Sequence, residues 1–191
     1  NCGSSAQVCA TITINSAPAA PVAPADGTVC QNTSGDAYSV PAVAGATTYS
    51  WTVPAPATFT GDGSNAIIID WAGTVAPATI CVNAGNTCGD SPDACFTITP
   101  TLIPAQPAAI SGPADPCNGS TGTTYSIASV TGATSYNWTV PAGATFTGNG
   151  TTTIMVDWGL SPGGSICVNA ENSCGTSPDQ CYTVTPFGPP S

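Results

Sequence analysis

Lysine, arginine and histidine are absent from all 191 residues, which carry ten acidic side chains and a formal net charge of −10. Nucleic-acid binding draws much of its affinity from cations that release condensed counterions from phosphate. A chain with no such cation has no means of doing so, and nucleic acid is excluded as a partner. An anionic bilayer surface is disfavoured on the same ground. No apolar run reaches the roughly eighteen residues of a membrane-spanning helix, so no membrane insertion is expected. Catalysis is also unexpected, because the usual general bases are missing and the acids lie mostly in turns. No Cys-x-x-Cys couple occurs among the ten cysteines, which favours disulfides in an oxidising compartment over a zinc site. The opening residues Asn1 to Ser5 lack the basic and apolar regions of a signal peptide. Any export signal is expected to have been removed or to lie upstream.

What is present points to a folded chain of short strands. Only 5% of residues are charged while 41% are hydrophobic, so low hydrophobicity gives no case for disorder. The 21 glycines and 19 prolines favour turns over long helices.

Self-comparison gives a period of 86 residues. Ile80-Cys81-Val82-Asn83-Ala84 returns as Ile166-Cys167-Val168-Asn169-Ala170, Cys88-Gly89 as Cys174-Gly175, and Ser91-Pro92-Asp93 as Ser177-Pro178-Asp179. Upstream, Gly45-Ala46-Thr47-Thr48-Tyr49-Ser50-Trp51-Thr52-Val53-Pro54 matches residues 132–141 with a slip of one. The period also reaches back to Cys2, Cys9, Ala10, Thr11, Ile12, Thr13 and Ile14, which correspond to the last strand of a repeat. The expected organisation is a terminal strand over 1–16, repeats over 17–100 and 101–187, and a tail over 188–191.

Within each repeat the apolar period is two. Tyr49, Trp51 and Val53 alternate with hydroxyls, and Ile67, Ile69 and Trp71 alternate with Ile68 and Asp70. With an opening strand near Pro21-Val22, about seven strands are expected per repeat, the size of an immunoglobulin-like sandwich. The four tryptophans share parity with Ile and Val and read as core before sugar platforms.

Strand parity also bears on the cysteines. Ile80 and Val82 face the core, so Cys81 points outward. Phe96 and Ile98 turn Cys95 outward in the same way. The two are equidistant from Cys88, at the tip of the hairpin that joins their strands. The expected pairs are Cys81–Cys95 and Cys30–Cys88, repeated as Cys167–Cys181 and Cys117–Cys174. The competing set, Cys30–Cys81 with Cys88–Cys95, stays open. By chain-entropy arithmetic a short loop contributes about 3 kcal/mol and a long one about 4 kcal/mol.

Tyr38-Ser39-Val40-Pro41, the Gly-Ala-Thr-x-Tyr-x-Trp-Thr-Val-Pro stretch, Gly61-Asp62-Gly63-Ser64-Asn65 and Asn-x-Cys-Gly together resemble the PKD-like repeats of Bacteroidota surface and secreted proteins. The resemblance covers nearly the whole chain. It implies an all-β fold of tandem immunoglobulin-like sandwiches, an extracellular or cell-surface location, and no catalytic residues or cofactor. Cys81, Cys95 and the lack of basic residues go beyond that pattern.

The expected role is a structural repeat of an extracellular filament, fibre or stalk, assembled head-to-tail with copies of itself. Cys2, Cys9 and Ala10 to Ile14 are its candidate intersubunit residues. The alternative is an adhesin or carbohydrate-binding module with surface glycans as ligands. Calcium is the one plausible metal, with Asp62, Asn65, Asp90 and Asp93 as oxygen donors in loops. The repeat weakens that case, since Asp62 becomes Asn149 and Asp90 becomes Thr176.

Overall fold

A computed structural model describes residues 14–188. Of the candidate intersubunit residues, Cys2, Cys9 and Ala10 to Thr13 fall outside the described residues, and Ile14 is exposed. Every regular element among the described residues is a β-strand.

The first repeat contributes β1 (Gly27–Cys30), β2 (Asp36–Ser39), β3 (Thr48–Thr52), β4 (Thr58–Thr60), β5 (Ala66–Asp70), β6 (Ala78–Asn86), β7 (Gly89–Asp90) and β8 (Ala94–Thr101). One sheet runs β1-β8-β6-β3, with β7 on β6, and the other runs β2-β5-β4. The second repeat contributes β9 (Thr123–Ser126), β10 (Ser135–Thr139), β11 (Thr145–Thr147), β12 (Thr153–Asp157), β13 (Gly164–Asn172), β14 (Gly175–Thr176) and β15 (Gln180–Val184). Its larger sheet centres on β13, flanked by β10, β14 and β15, and its smaller one runs β11-β12-β9.

Alternation decides which residues enter each core. Along β5 and β12 burial switches at every residue, placing Ile67, Ile69, Ile154 and Val156 inside and Ile68 and Met155 outside. In the second repeat these meet Trp138, Ile166, Val168, Ala170 and Val184 from the facing sheet. Trp51, Trp71, Trp138 and Trp158 are all buried. At about 25 cal/mol per Å² of apolar surface, such aromatic anchors dominate a core of this size.

The shared Tyr-x-Trp motif carries polar handles for these rings. Val43 donates its backbone N–H to Tyr49 Oη (2.8 Å), and Val130 does so to Tyr136 Oη (2.8 Å). The Trp51 indole donates to Ser64 O (2.9 Å) and that of Trp138 to Thr151 O (2.8 Å).

No strand forms near Pro21-Val22. The first ladder strand is β1, because Pro18, Pro21 and Pro24 have no N–H to donate. Pro18 and Pro21 are instead buried as apolar side chains.

Two compact units result. One holds the described part of Asn1–Gly27 with Thr33–Ala72 and Pro77–Ile98, and the other holds Thr28–Asn32, Gly73–Ala76 and the described part of Thr99–Ser191. The second unit therefore takes in two short segments from the first repeat.

Candidate functional site

Among the described residues, the cysteines and the Asn-x-Cys-Gly hairpins form the most elaborated constellation. In β6 and β13 the register sets Cys81 opposite Cys95 and Cys167 opposite Cys181. Each pair is disulfide-bonded with Cα atoms 4.1 Å apart. Both bridges lie on the outer faces of their sheets, since Cys95 and Cys181 are exposed.

The expected pairs Cys30–Cys88 and Cys117–Cys174 do not form. Cys30 is bonded to Cys174 instead, across a sequence separation of 144 and with Cα atoms 5.3 Å apart. Both residues belong to the second compact unit, in which the hydrogen bond from Gln31 N to Thr101 O holds the segment that carries Cys30. Cys88 and Cys117 are exposed free thiols.

The hairpin motif can be rebuilt from its parts. Asn86 Oδ1 accepts the backbone N–H of Cys88 (2.8 Å), which closes the tip. Asn86 Nδ2 donates to Gly45 O (3.0 Å) and to Ser16 O (2.8 Å), tying the tip to a neighbouring turn and to the segment entering the repeat. Asn172 repeats this with Cys174 N (2.8 Å), Gly132 O (3.1 Å) and Leu102 O (2.7 Å). The glycine after each cysteine holds a positive φ, 130° at Gly89 and 142° at Gly175, which side chains rarely tolerate. Behind it, Ser91 and Ser177 are buried, and each hydroxyl accepts a backbone N–H, from Ala84 (3.0 Å) and Ala170 (2.9 Å). Asn and Gly thus present the cysteine at the tip, and Ser-Pro-Asp holds the base.

Inside the second unit, Cys174 and its partner sit in a local network. Gln31 N donates to Thr101 O (2.9 Å), and Gly73 N donates to Asn32 Oδ1 (2.9 Å). In the first unit the counterpart hairpin borders an open groove of about 430 Å³. Ser16, Ala17, Gly45, Thr47, Asn86 and Thr87 are among its lining residues.

The calcium candidates have other roles. Asp62 Oδ1 accepts the backbone N–H of Trp51 (3.0 Å), Asn65 Nδ2 donates to Val40 O (2.9 Å), and Asp93 Oδ1 accepts from Asn83 (2.9 Å). Asp90 lies in β7, opposite Gly85. Asn149 takes the Asp62 role, accepting from Trp138 N (2.8 Å), so the position needs an acceptor and not a charge. Asp70 and Asp157 likewise accept from Gly35 N (2.9 Å) and Gly122 N (2.7 Å). Among the described residues no group of three or more His, Cys, Asp or Glu side chains could hold a metal ion.

The PKD-like domain model matches residues 16–98 and 103–184. No curated protein matches the chain. Among solved structures, three titin immunoglobulin domains (I67–I69, an E-to-A variant) align at a TM-score of 0.56 and 12% identity, covering 92% of this chain and 68% of that one. Drosophila OTK extracellular domains 3–5 align at a TM-score of 0.46 and 14% identity, covering 90% of this chain and 60% of that one. The titin likeness shows a tandem immunoglobulin-like fold.

Proposed function

We propose, on the premise that this chain belongs to the PKD-like domain family, that it is a structural repeat of an extracellular filament or surface stalk. Its partners are copies of itself, assembled head-to-tail, and it does no catalysis. The observation that carries this reading is the Cys30–Cys174 bond. Tension applied along the chain would pass from Cys30 through the disulfide to Cys174 and bypass the segment between them. The bond would therefore limit how far a chain pulled from its ends can lengthen, as suits a spacer under stress. Three disulfides fit an oxidising exterior, where small domains rely on such braces.

The reading as a carbohydrate-binding module gains nothing from the tryptophans, because all four are buried. The structural reading is tested by pulling single oxidised chains from their ends. Extension should stop short, and reduction should release roughly a further 500 Å, the extended length of the loop at about 3.6 Å per residue. Full extension of the oxidised chain would overturn it.

A further inference from the structure

Cys88 and Cys117 are free and exposed, yet neither stands on an unrelated surface. Cys88 occupies the hairpin position that Cys174 holds in the second repeat, and Cys117 occupies the position that Cys30 holds in the first. Those two counterparts are bonded to each other. Each thiol therefore presents one half of a junction whose other copy is complete.

The scaffolds around the two thiols match the completed junction. At Cys88, Asn86 fixes the tip through the same three hydrogen bonds that Asn172 makes at Cys174. Beside it the 430 Å³ groove is lined by Ser16, Ala17, Gly45 and Asn86. The repeat counterparts of these residues are Leu102, Ile103, Gly132 and Asn172, in the unit that also contains Thr28–Asn32 and Gly73–Ala76. At Cys117, Asn118 N donates to Phe187 O (2.8 Å), the counterpart of Gln31 N to Thr101 O (2.9 Å). Trp158 N donates to Ser120 O (2.8 Å), as Trp71 N does to Thr33 O (2.9 Å). Near this end Phe187 is 62% exposed and Leu160 is 90% exposed. That is apolar surface a partner would cover.

We infer that Cys117 of one copy forms a disulfide with Cys88 of a second copy of this chain, seating the Cys117 end against the groove beside Asn86. The inference rests on the filament reading above and names its junction. The occupant is a second copy because this chain itself carries the matching end. Such a contact joins different surfaces on the two copies, so however many copies join, one Cys88 stays free at one end and one Cys117 at the other, and the assembly propagates. The chemistry is thiol–disulfide exchange with a small disulfide such as oxidised glutathione. The Cys88 thiolate attacks it and releases one small thiol, and the Cys117 thiolate then attacks the mixed disulfide and releases the second. The two protein thiols are oxidised as the small disulfide is reduced to two thiols.

The test uses wild type, Cys88→Ser and Cys117→Ser, each incubated in a glutathione redox buffer. Wild type should give a ladder of multiples of one chain's mass on non-reducing electrophoresis. Each variant alone should stay at one chain's mass, and a mixture of the two should stop at two. With one variant isotope-labelled, peptic digestion and mass spectrometry should recover a Cys88–Cys117 peptide joining a labelled to an unlabelled copy. Ladders unchanged in either variant, links that map to Cys2 or Cys9, or a Cys88–Cys117 bond within one copy would each overturn the inference. Filaments formed equally by wild type and both variants would overturn this junction while leaving the structural-repeat reading intact.

Discussion

Cys30 is bonded to Cys174 and not to Cys88, although Cys88 and Cys174 hold equivalent places in their repeats. The bond closes a loop that includes most of both repeats. Chain-entropy arithmetic gives such a loop about 5 kcal/mol. Non-reducing peptide mapping should recover Cys30 joined to Cys174, with Cys81 joined to Cys95 and Cys167 to Cys181. Cys30→Ser should lower the thermal midpoint well below that of wild type by calorimetry. An unchanged midpoint would mean that the bridge contributes little.

Asp62 and Asn149 serve the same purpose, accepting the backbone N–H of Trp51 and Trp138. Asp62→Asn should therefore leave stability within about 0.5 kcal/mol of wild type. Asp62→Ala should cost about 1–2 kcal/mol in urea denaturation, because the Trp51 N–H loses its partner. A large loss in the Asn variant would show that the charge matters.

Burial pushes the Tyr125 phenol up to about 12 and raises that of its counterpart Tyr38, which also feels the nearby Asp36 charge. Tyr125 is fully buried and donates to Pro113 O (2.9 Å). A phenol whose folded pKa lies above its unfolded value near 10 supports folding fully below that value. The support is lost as pH rises towards about 12. Tyrosinate absorbance should show late-titrating groups whose ionisation coincides with unfolding, and Tyr125→Phe should remove one of them. Ionisation of every tyrosine near 10 without unfolding would contradict this burial.

Trypsin has no cleavage site in a chain without lysine or arginine. A broad-specificity protease should digest oxidised protein slowly and reduced protein much faster. Equal rates would show that the disulfides are not the brace.

Much of this architecture is legible in the sequence, for a physical reason in each case. Alternation of period two fixes which face of β5 or β12 is buried, so the core can be read from Ile67, Ile69 and Trp71. The same parity turns Cys81 and Cys95 outward on adjacent strands, where they bond. Parity does not say which copy of a repeated position a cysteine will meet. Cys88 and Cys174 are alike locally, and only the three-dimensional arrangement distinguishes them for Cys30. The segment around Pro21-Val22 has the apolar pattern of a strand without its donors, because its spaced prolines carry no N–H, and the first strand forms only at Gly27–Cys30. Asp62 offered a usable signal, since its replacement by Asn149 keeps an oxygen acceptor and discards the charge. That swap fits a hydrogen bond to a backbone N–H better than a calcium ligand.

Electron microscopy of native, unreduced material decides whether this chain is built into an extracellular filament. Filaments that shorten or fall apart on reduction are expected. Isolated single-chain particles in fully oxidised native material would contradict that expectation.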